Sequence, residues 1–303
     1  MAAEPAGGLW LAAPAKINLF LHVIGRRADG YHDLESLFVF TRLGDRLWAE
    51  PAPDIRLSIT GPFGGSLSAG PDNIVLRAAK RLGQVTGCRQ GVHFMLEKRL
   101  PVASGIGGGS SDAAAALRLL DRLWGLRLPP GDIASIALSL GADVPACLAG
   151  RPVLVRGIGE RIEAVPSLPD LQMVLVNPGV PLATADVFRR RLGPFGPPGT
   201  GGIEPGQKPF ASASDLASAL MRCRNDLEPA AIALVPAVGV ALRHLGAAPG
   251  CLLARMSGSG ATCFGLFSEP AAARSAAGAI RAAQPGWWVA VTAPRAARPR
   301  PGR

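Results

Sequence analysis

Between Leu100 and Trp124 lies the stretch with the clearest capacity for chemistry. It reads Leu100, Pro101, Val102, Ala103, Ser104, Gly105, Ile106, Gly107, Gly108, Gly109, Ser110, Ser111, Asp112 and continues as an Ala/Leu-rich segment. Glycines without a Cβ let backbone N–H groups converge on a ligand. Ser110, Ser111 or Asp112 can cap the first turn of a helix whose N-terminus is electropositive. Together these features suit an anion, above all a phosphate. A P-loop would need Lys just before the final Ser/Thr, and a dinucleotide fingerprint would need a glycine spacing that is not present. The plainer alternative is a flexible loop in a chain with 38 glycines. Two more charged residues stand out. Lys16 shares a strand face with Asn18. Asp143 lies between two apolar segments, a costly place for a charge unless something pairs with it. Taken alone, Lys16 is more simply a solvated strand lysine, and Asp143 is equally the N-cap of a short helix with Pro145 in its first turn.

The elements that must position these residues follow from periodicity. Val92, Phe94 and Leu96 alternate with His93, Met95 and Glu97, which predicts a half-buried strand before the glycine loop. Ala113, Ala116, Leu117, Leu120 and Leu123 fall on one face of a helix after it. A first strand covers 15–23, a second lies around 37–40, and shorter ones lie near 46–49 and 55–59. A helix opens at Pro71, Asp72 and Asn73 and closes at Gly83. Asp132 caps a helix closed by Gly141, and strands at 153–155 and 162–165 flank a turn. In the second half, a strand at 172–176 leads into a loop carrying Thr184 and Phe188. Residues 193–214, rich in Gly, Pro, Ser and Ala, read as a mobile loop. A helix over 229–245 tolerates Pro236 only as a kink. Strands at 252–256 and 262–267, joined by Ser257, Gly258, Ser259 and Gly260, a helix over 270–283 and a strand over 287–292 complete the order of a ferredoxin-like split βαβ unit.

Composition narrows the classes. A chain of 303 residues suits two domains, and 48% hydrophobic against 18% charged residues leaves ample core material. The net charge of +10 is scattered. It shows neither the aromatic interleaving of a single-strand binder nor a helix-turn-helix pattern, so no nucleic acid partner is expected. It does favour the approach of small anions. Only the Pro/Arg tail concentrates charge, and it reads as disordered. The five cysteines lie far apart without metal-ligand spacing, as in a reduced, cytoplasmic protein. No signal peptide pattern or membrane-length apolar run is seen.

Several segments resemble the small-molecule GHMP kinases: Pro14-Ala15-Lys16-Ile17-Asn18-Leu19, Arg27-Ala28-Asp29-Gly30-Tyr31-His32, residues 101–115, Leu140-Gly141-Ala142-Asp143-Val144-Pro145, and Ser257-Gly258-Ser259-Gly260-Ala261. The resemblance spans nearly the whole chain. It implies an α+β, two-domain fold: an N-terminal α/β domain over 1–160 with the glycine-rich phosphate loop, a C-terminal ferredoxin-like domain over 161–293, and a tail over 294–303. It implies an enzyme, with ATP as donor and Mg²⁺ bridging phosphate oxygens, and Ser110 or Ser111 touching the metal; its carboxylate ligands are not identified. Residues 101–111 would bind ATP, with Asn73 and Lys98 near the adenine, although each is equally a helix cap or a surface lysine. Asp143 would accept the proton of the attacking hydroxyl, and Lys16 beside it would hold it ionised and stabilise transferred charge. Tyr31, His32 and Phe188 match positions that hold a cytosine, two aromatic faces sandwiching the base while the imidazole reads its edge. The implied substrate is therefore a cytidine diphosphate alcohol, with Asn18 and Thr184 bonding its polyol or diphosphate. Without the motif, Tyr31 and Phe188 are core aromatics and His32 a surface residue. The competing readings are a GHMP kinase for homoserine, mevalonate or a sugar, and a GHMP-like binding protein that has lost catalysis. Where many relatives have glycine at 103 or 104, this chain has Ala103 and Ser104, which alters the outer rim of the phosphate loop.

Overall fold

The structure is a computed structural model that describes residues 8–196, 199 and 203–295. In chain order the elements are β1 (Leu9–Arg26), β2 (His32–Ala52), β3 (Ile55–Thr60), α1 (Ile74–Thr86), β4 (Gly91–Glu97), α2 (Gly108–Leu123), α3 (Pro130–Leu140), α4 (Val144–Ala149), β5 (Val153–Gly157), β6 (Arg161–Ala164), β7 (Gln172–Asn177), α5 (Thr184–Arg190), α6 (Ala213–Met221), α7 (Glu228–Leu234), α8 (Pro236–Gly246), β8 (Cys251–Met256), β9 (Cys263–Phe267), α9 (Pro270–Ala283) and β10 (Trp288–Thr292). They form two compact units that interleave along the chain. The first comprises 1–15, 44–102 and 107–149; the second comprises 16–43, 103–106 and 150–303.

In the first unit, β4 pairs antiparallel with residues 46–52 of β2 and parallel with β3. The alternation read in 92–97 is real: Val92, Phe94 and Leu96 are buried, and Phe94 and Leu96 stand opposite the buried Ala49 and Leu47 of β2. Helix α1 begins one residue after Asn73, whose side chain accepts from the Val75 amide, and it runs past Gly83 to a left-handed Gly87. A small residue within a helix does not end it unless it takes up the αL turn, and Gly83 does not. Helix α3 starts at Pro130 with Pro129 as its N-cap, so Asp132 sits in the first turn instead of capping it.

In the second unit, residues 34–38 of β2 pair with β5, and β5 with β6. A four-stranded antiparallel sheet has the order β10-β7-β9-β8, the ferredoxin-like arrangement expected from the sequence. Its core gathers Val174, Val176, Leu245, Met256, Phe267 and Ile280. Three expectations for this unit are corrected. The loop carrying Thr184 and Phe188 is the helix α5. The loop expected over 193–214, of which 197, 198 and 200–202 lie outside the described residues, ends at Ser212, which caps α6 by accepting from the Asp215 amide. The helix over 229–245 is two helices broken at Val235, with a proline in the first turn of each, because a proline N-terminus fits no intrahelical donor. At the start of the tail, Pro294 bridges Thr41 and the Arg295 amide donates to the Phe40 carbonyl. The rest of the tail read as disordered, 296–303, lies outside the described residues.

Candidate active site

The glycine stretch is a tight, alternating turn that opens a helix. Ala103, Gly105 and Gly107 have φ of 51°, 74° and 62°, and left-handed residues alternating in this way turn successive N–H groups toward one concavity. Ala103 adopts that conformation despite its Cβ. Helix α2 starts at Gly108, and the first intrahelical bond is from the Ser111 amide to the Gly107 carbonyl. The amides of Gly108, Gly109 and Ser110 have no carbonyl one turn back, so they are available to an anion. The N-cap is Gly107, with no capping side chain. This corrects the expectation for Ser110, Ser111 and Asp112, two of which are engaged elsewhere. The Ser111 hydroxyl donates to the Pro14 carbonyl at 2.6 Å, and Asp112 accepts from Lys98.

Lys98 is no surface lysine. It is 2% exposed, and its ammonium donates to Asp45 Oδ2 at 2.5 Å and to Asp112 Oδ2 at 2.8 Å. Burial opposes its charge, but the two carboxylates outweigh that and raise its pKa. Asp45 also accepts from the amides of Arg99 and Leu100. Burial together with the second carboxylate pushes Asp112 up to about 7 despite Lys98. The triad ties Lys98, which directly follows β4, to Asp45 of β2 and Asp112 of α2. Asn73 spends its amide locally, the Oδ1 on Val75 and the Nδ2 on the Ser68 carbonyl. Asp143 is half-buried and immediately precedes α4, and its carbonyl accepts from the Cys147 amide. Among the described residues no group of three or more His, Cys, Asp or Glu side chains gathers to hold a metal.

The second unit carries the other residues. Strand β1 is buried on both faces from Ala13 to Val23, so its alternation does not separate core from solvent. Lys16, 4% exposed, donates to Asn18 Oδ1 at 2.9 Å and stands 4.4 Å from the Phe38 ring centroid. Asn18 donates from Nδ2 to the Ser36 hydroxyl, and its amide donates to the Ser257 hydroxyl. The turn after β8 therefore does more than join two strands. The Ser257 hydroxyl donates to the Gly105 carbonyl, and a Cβ on Gly105 would lie 2.4 Å from the Gly260 carbonyl oxygen. The Lys16 amide donates to Ile106. Strand β1, the 257–260 turn and residues 104–106 thus hold one another at backbone distance. Thr184, exposed at the start of α5, shares a hydrogen bond with the Ser259 hydroxyl at 2.8 Å.

Tyr31 is 60% exposed, which removes the core-tyrosine alternative. The His32 ring stacks on Phe188, with centroids 4.8 Å apart at 27°. Burial, then the charges of Arg26 and Arg191, lowers the His32 pKa, so the imidazole is neutral at pH 7 and has one donor and one acceptor nitrogen. Three features escaped the sequence reading: the acids Asp45 and Asp112 around Lys98, the ring of Phe195 near His32, and a buried Glu35. Asp45 is separated from Lys98 by 53 residues, and no local pattern connects them.

A glycine-rich turn that opens a helix with free amides, together with a ferredoxin-like sheet whose own glycine turn packs on residues 104–106, defines a class of small-molecule kinases. This chain belongs to the GHMP kinase family: the model for the GHMP kinases N terminal domain matches residues 73–151, and that for the GHMP kinases C terminal domain matches 210–286. Among its curated relatives, the 4-diphosphocytidyl-2-C-methyl-D-erythritol kinase of Paramagnetospirillum magneticum is 52% identical over 280 residues, covering 92% of this chain and 96% of the relative. A crystal structure of 4-(cytidine 5'-diphospho)-2C-methyl-D-erythritol kinase is similar with a TM-score of 0.73 and 36% identity over 95% of this chain and 100% of that one. The homoserine kinase of Cytophaga hutchinsonii, 20% identical with a TM-score of 0.71 over 98% and 97% of the two chains, shares the fold. Among the described residues no helix is long and apolar enough to cross a membrane.

Proposed function

We propose that this chain uses ATP to phosphorylate the 2-hydroxyl of 4-diphosphocytidyl-2-C-methyl-D-erythritol, yielding the 2-phosphate and ADP in the non-mevalonate route to isoprenoid precursors. The observation that carries the reading is identity of 52% over nearly the full length to a kinase named for that substrate. The solvent-facing Tyr31 beside a neutral His32 supports it. Tyr31 offers a face to the cytosine, and the imidazole can both donate to and accept from the edge of the base. Asp143 takes the proton of the attacking oxygen, and Lys16 offsets the charge that develops on the transferred phosphoryl group. The amides at the start of α2 bind phosphate oxygens. Mg²⁺ would supply further charge neutralisation as a companion of the nucleotide, with the hydroxyl oxygen of Ser110 or Ser111 as the protein-side contact, since the Ser111 proton given to Pro14 leaves its lone pairs in place; among the described residues no group of three or more His, Cys, Asp or Glu side chains gathers to hold it. Asn18 and Thr184 bond the polyol or the diphosphate.

The test is ADP release, coupled to an optical readout, with the cytidine diphosphate substrate, homoserine and mevalonate in parallel. Turnover with the first alone is expected, and it should fall sharply when Tyr31→Ala and His32→Ala are combined. Turnover of homoserine or mevalonate that survives the double substitution assigns the chain another acceptor.

A further inference from the structure

The sheet of the first unit has a second face, turned away from the buried Val92, Phe94 and Leu96, and it carries residues able to do chemistry of another kind. Side chains alternate along a strand and match across a pair. Strand pairing therefore sets two rows on this face: Glu50, His93 and Arg56 are Cα partners in one, and Trp48, Met95 and Ser58 in the next. Across the rows runs a hydrogen-bonded relay. The exposed Ser58 hydroxyl lies 2.8 Å from His93 Nε2, and His93 Nδ1 lies 2.9 Å from Glu50 Oε1. A carboxylate only accepts, so the ring proton sits on Nδ1 and Nε2 accepts from the Ser58 hydroxyl. A cross-strand pair accounts for Glu50 and His93. It does not account for a hydroxyl aligned on the far nitrogen.

We infer that Ser58 is a nucleophile, with His93 as its general base and Glu50 as the positioning residue that orients the ring, and that it cleaves esters of apolar acids. These are the roles of a serine hydrolase, which are defined by geometry and not by position in the sequence. Ser58 Oγ adds to the ester carbonyl as its proton passes to His93 Nε2. The bond from the carbonyl carbon to the alkoxy oxygen then breaks, and the alcohol leaves with that proton. Water, giving a proton to the same nitrogen, cleaves the acyl-Ser58 ester; the acid departs and the hydroxyl is restored. Arg56, two residues from Ser58 on this face, supplies positive charge for the oxyanion: Nη1 donates to Asp54 at 3.1 Å, and the guanidinium has further N–H groups. Beside Ser58 the row continues through Met95 to Trp48, whose ring centroid is 6.2 Å from that of the half-exposed Trp10. These side chains make an apolar bed for the acyl group. Ester cleavage here is independent of which alcohol the chain phosphorylates.

An alkyl fluorophosphonate traps an activated serine by forming a P–O bond and releasing fluoride, and intact mass with peptide mapping reads the adduct. One adduct on Ser58 is expected, absent from Ser58→Ala and formed about 10²-fold more slowly in His93→Gln. Hydrolysis of p-nitrophenyl butyrate should fall to the buffer background in Ser58→Ala. In His93→Gly it should be partly restored by added imidazole, since the hydroxyl is open to solvent. Glu50→Gln should lower kcat at unchanged KM, because it removes the acceptor that keeps the ring proton on Nδ1. No adduct on Ser58 in the unsubstituted chain overturns the nucleophile. An adduct that forms as fast in His93→Gln overturns the general base, and an unchanged kcat in Glu50→Gln overturns the positioning role.

Discussion

Glu35 in the second unit and Asp112 in the first are each 2% exposed, yet their protons are held in opposite directions. Burial alone would raise both. Around Glu35 it is outweighed: His22 stands 3.8 Å away, the Gly199 amide donates at 2.7 Å, and Arg156 donates at 3.0 Å, so the carboxyl is held down at about 2. Around Asp112 burial is the stronger influence, a single ammonium serves two carboxylates, and the second acid adds to the rise, which reaches about 7. Burial is the largest influence on both carboxyls; the cations and the amide donor around Glu35 outweigh it, whereas Lys98, shared with Asp45, does not outweigh it at Asp112. Glu35 fastens a loop backbone, whereas Asp112 and Lys98 fasten the strand before the phosphate turn to the helix after it.

The largest effect is expected at Lys98. Lys98→Met leaves Asp45 and Asp112 facing each other without a cation, and should cost about 3–5 kcal/mol of unfolding free energy in urea at pH 7. Next, Glu35→Gln should cost about 3 kcal/mol at neutral pH, the equivalent of a carboxyl that titrates near 2 when folded and near 4.5 when unfolded. Because the folded value is the lower one, that contribution is full above about 4.5 and is lost as the pH falls toward 2. The deficit of the variant should shrink over that window in acid denaturation. The smallest effect is expected of Asp112→Asn, which leaves one cation with one acid. Since the folded pKa of Asp112 is raised, its stabilising contribution is present below about 3.8 and is lost as the pH rises through about 7. The stability of the unsubstituted chain relative to the variant should therefore decline from pH 4 to 7 and level off above. A parallel pH dependence for the two chains would show that the triad does not share a proton in this way.

Local signals made much of this legible. The alternation in β4, the apolar face of α2, the capping Asn73 and the order of the second sheet all derive from contacts within a few residues of one another. Alternation failed to report exposure in β1, where both faces are covered, so Lys16 and Asn18 looked half solvated. Glycine and proline content concealed α6, although Ser212 three residues before Asp215 is a capping signal in its own right. The same composition hid Phe195, whose ring centroid lies 6.3 Å from that of His32. What local sequence could not express at all were the partners set by the fold, Asp45 for Lys98 and Arg156 for Glu35.

In the proposed function Asp143 and Lys16 carry phosphoryl transfer to the cytidine diphosphate alcohol. Single-turnover ADP formation with saturating ATP and 4-diphosphocytidyl-2-C-methyl-D-erythritol, measured for Asp143→Asn and Lys16→Met after their urea midpoints have been matched to the unsubstituted chain, tests it most directly. Each rate should fall by about 10²-fold or more. A rate within a few fold of the unsubstituted chain in either variant would contradict it.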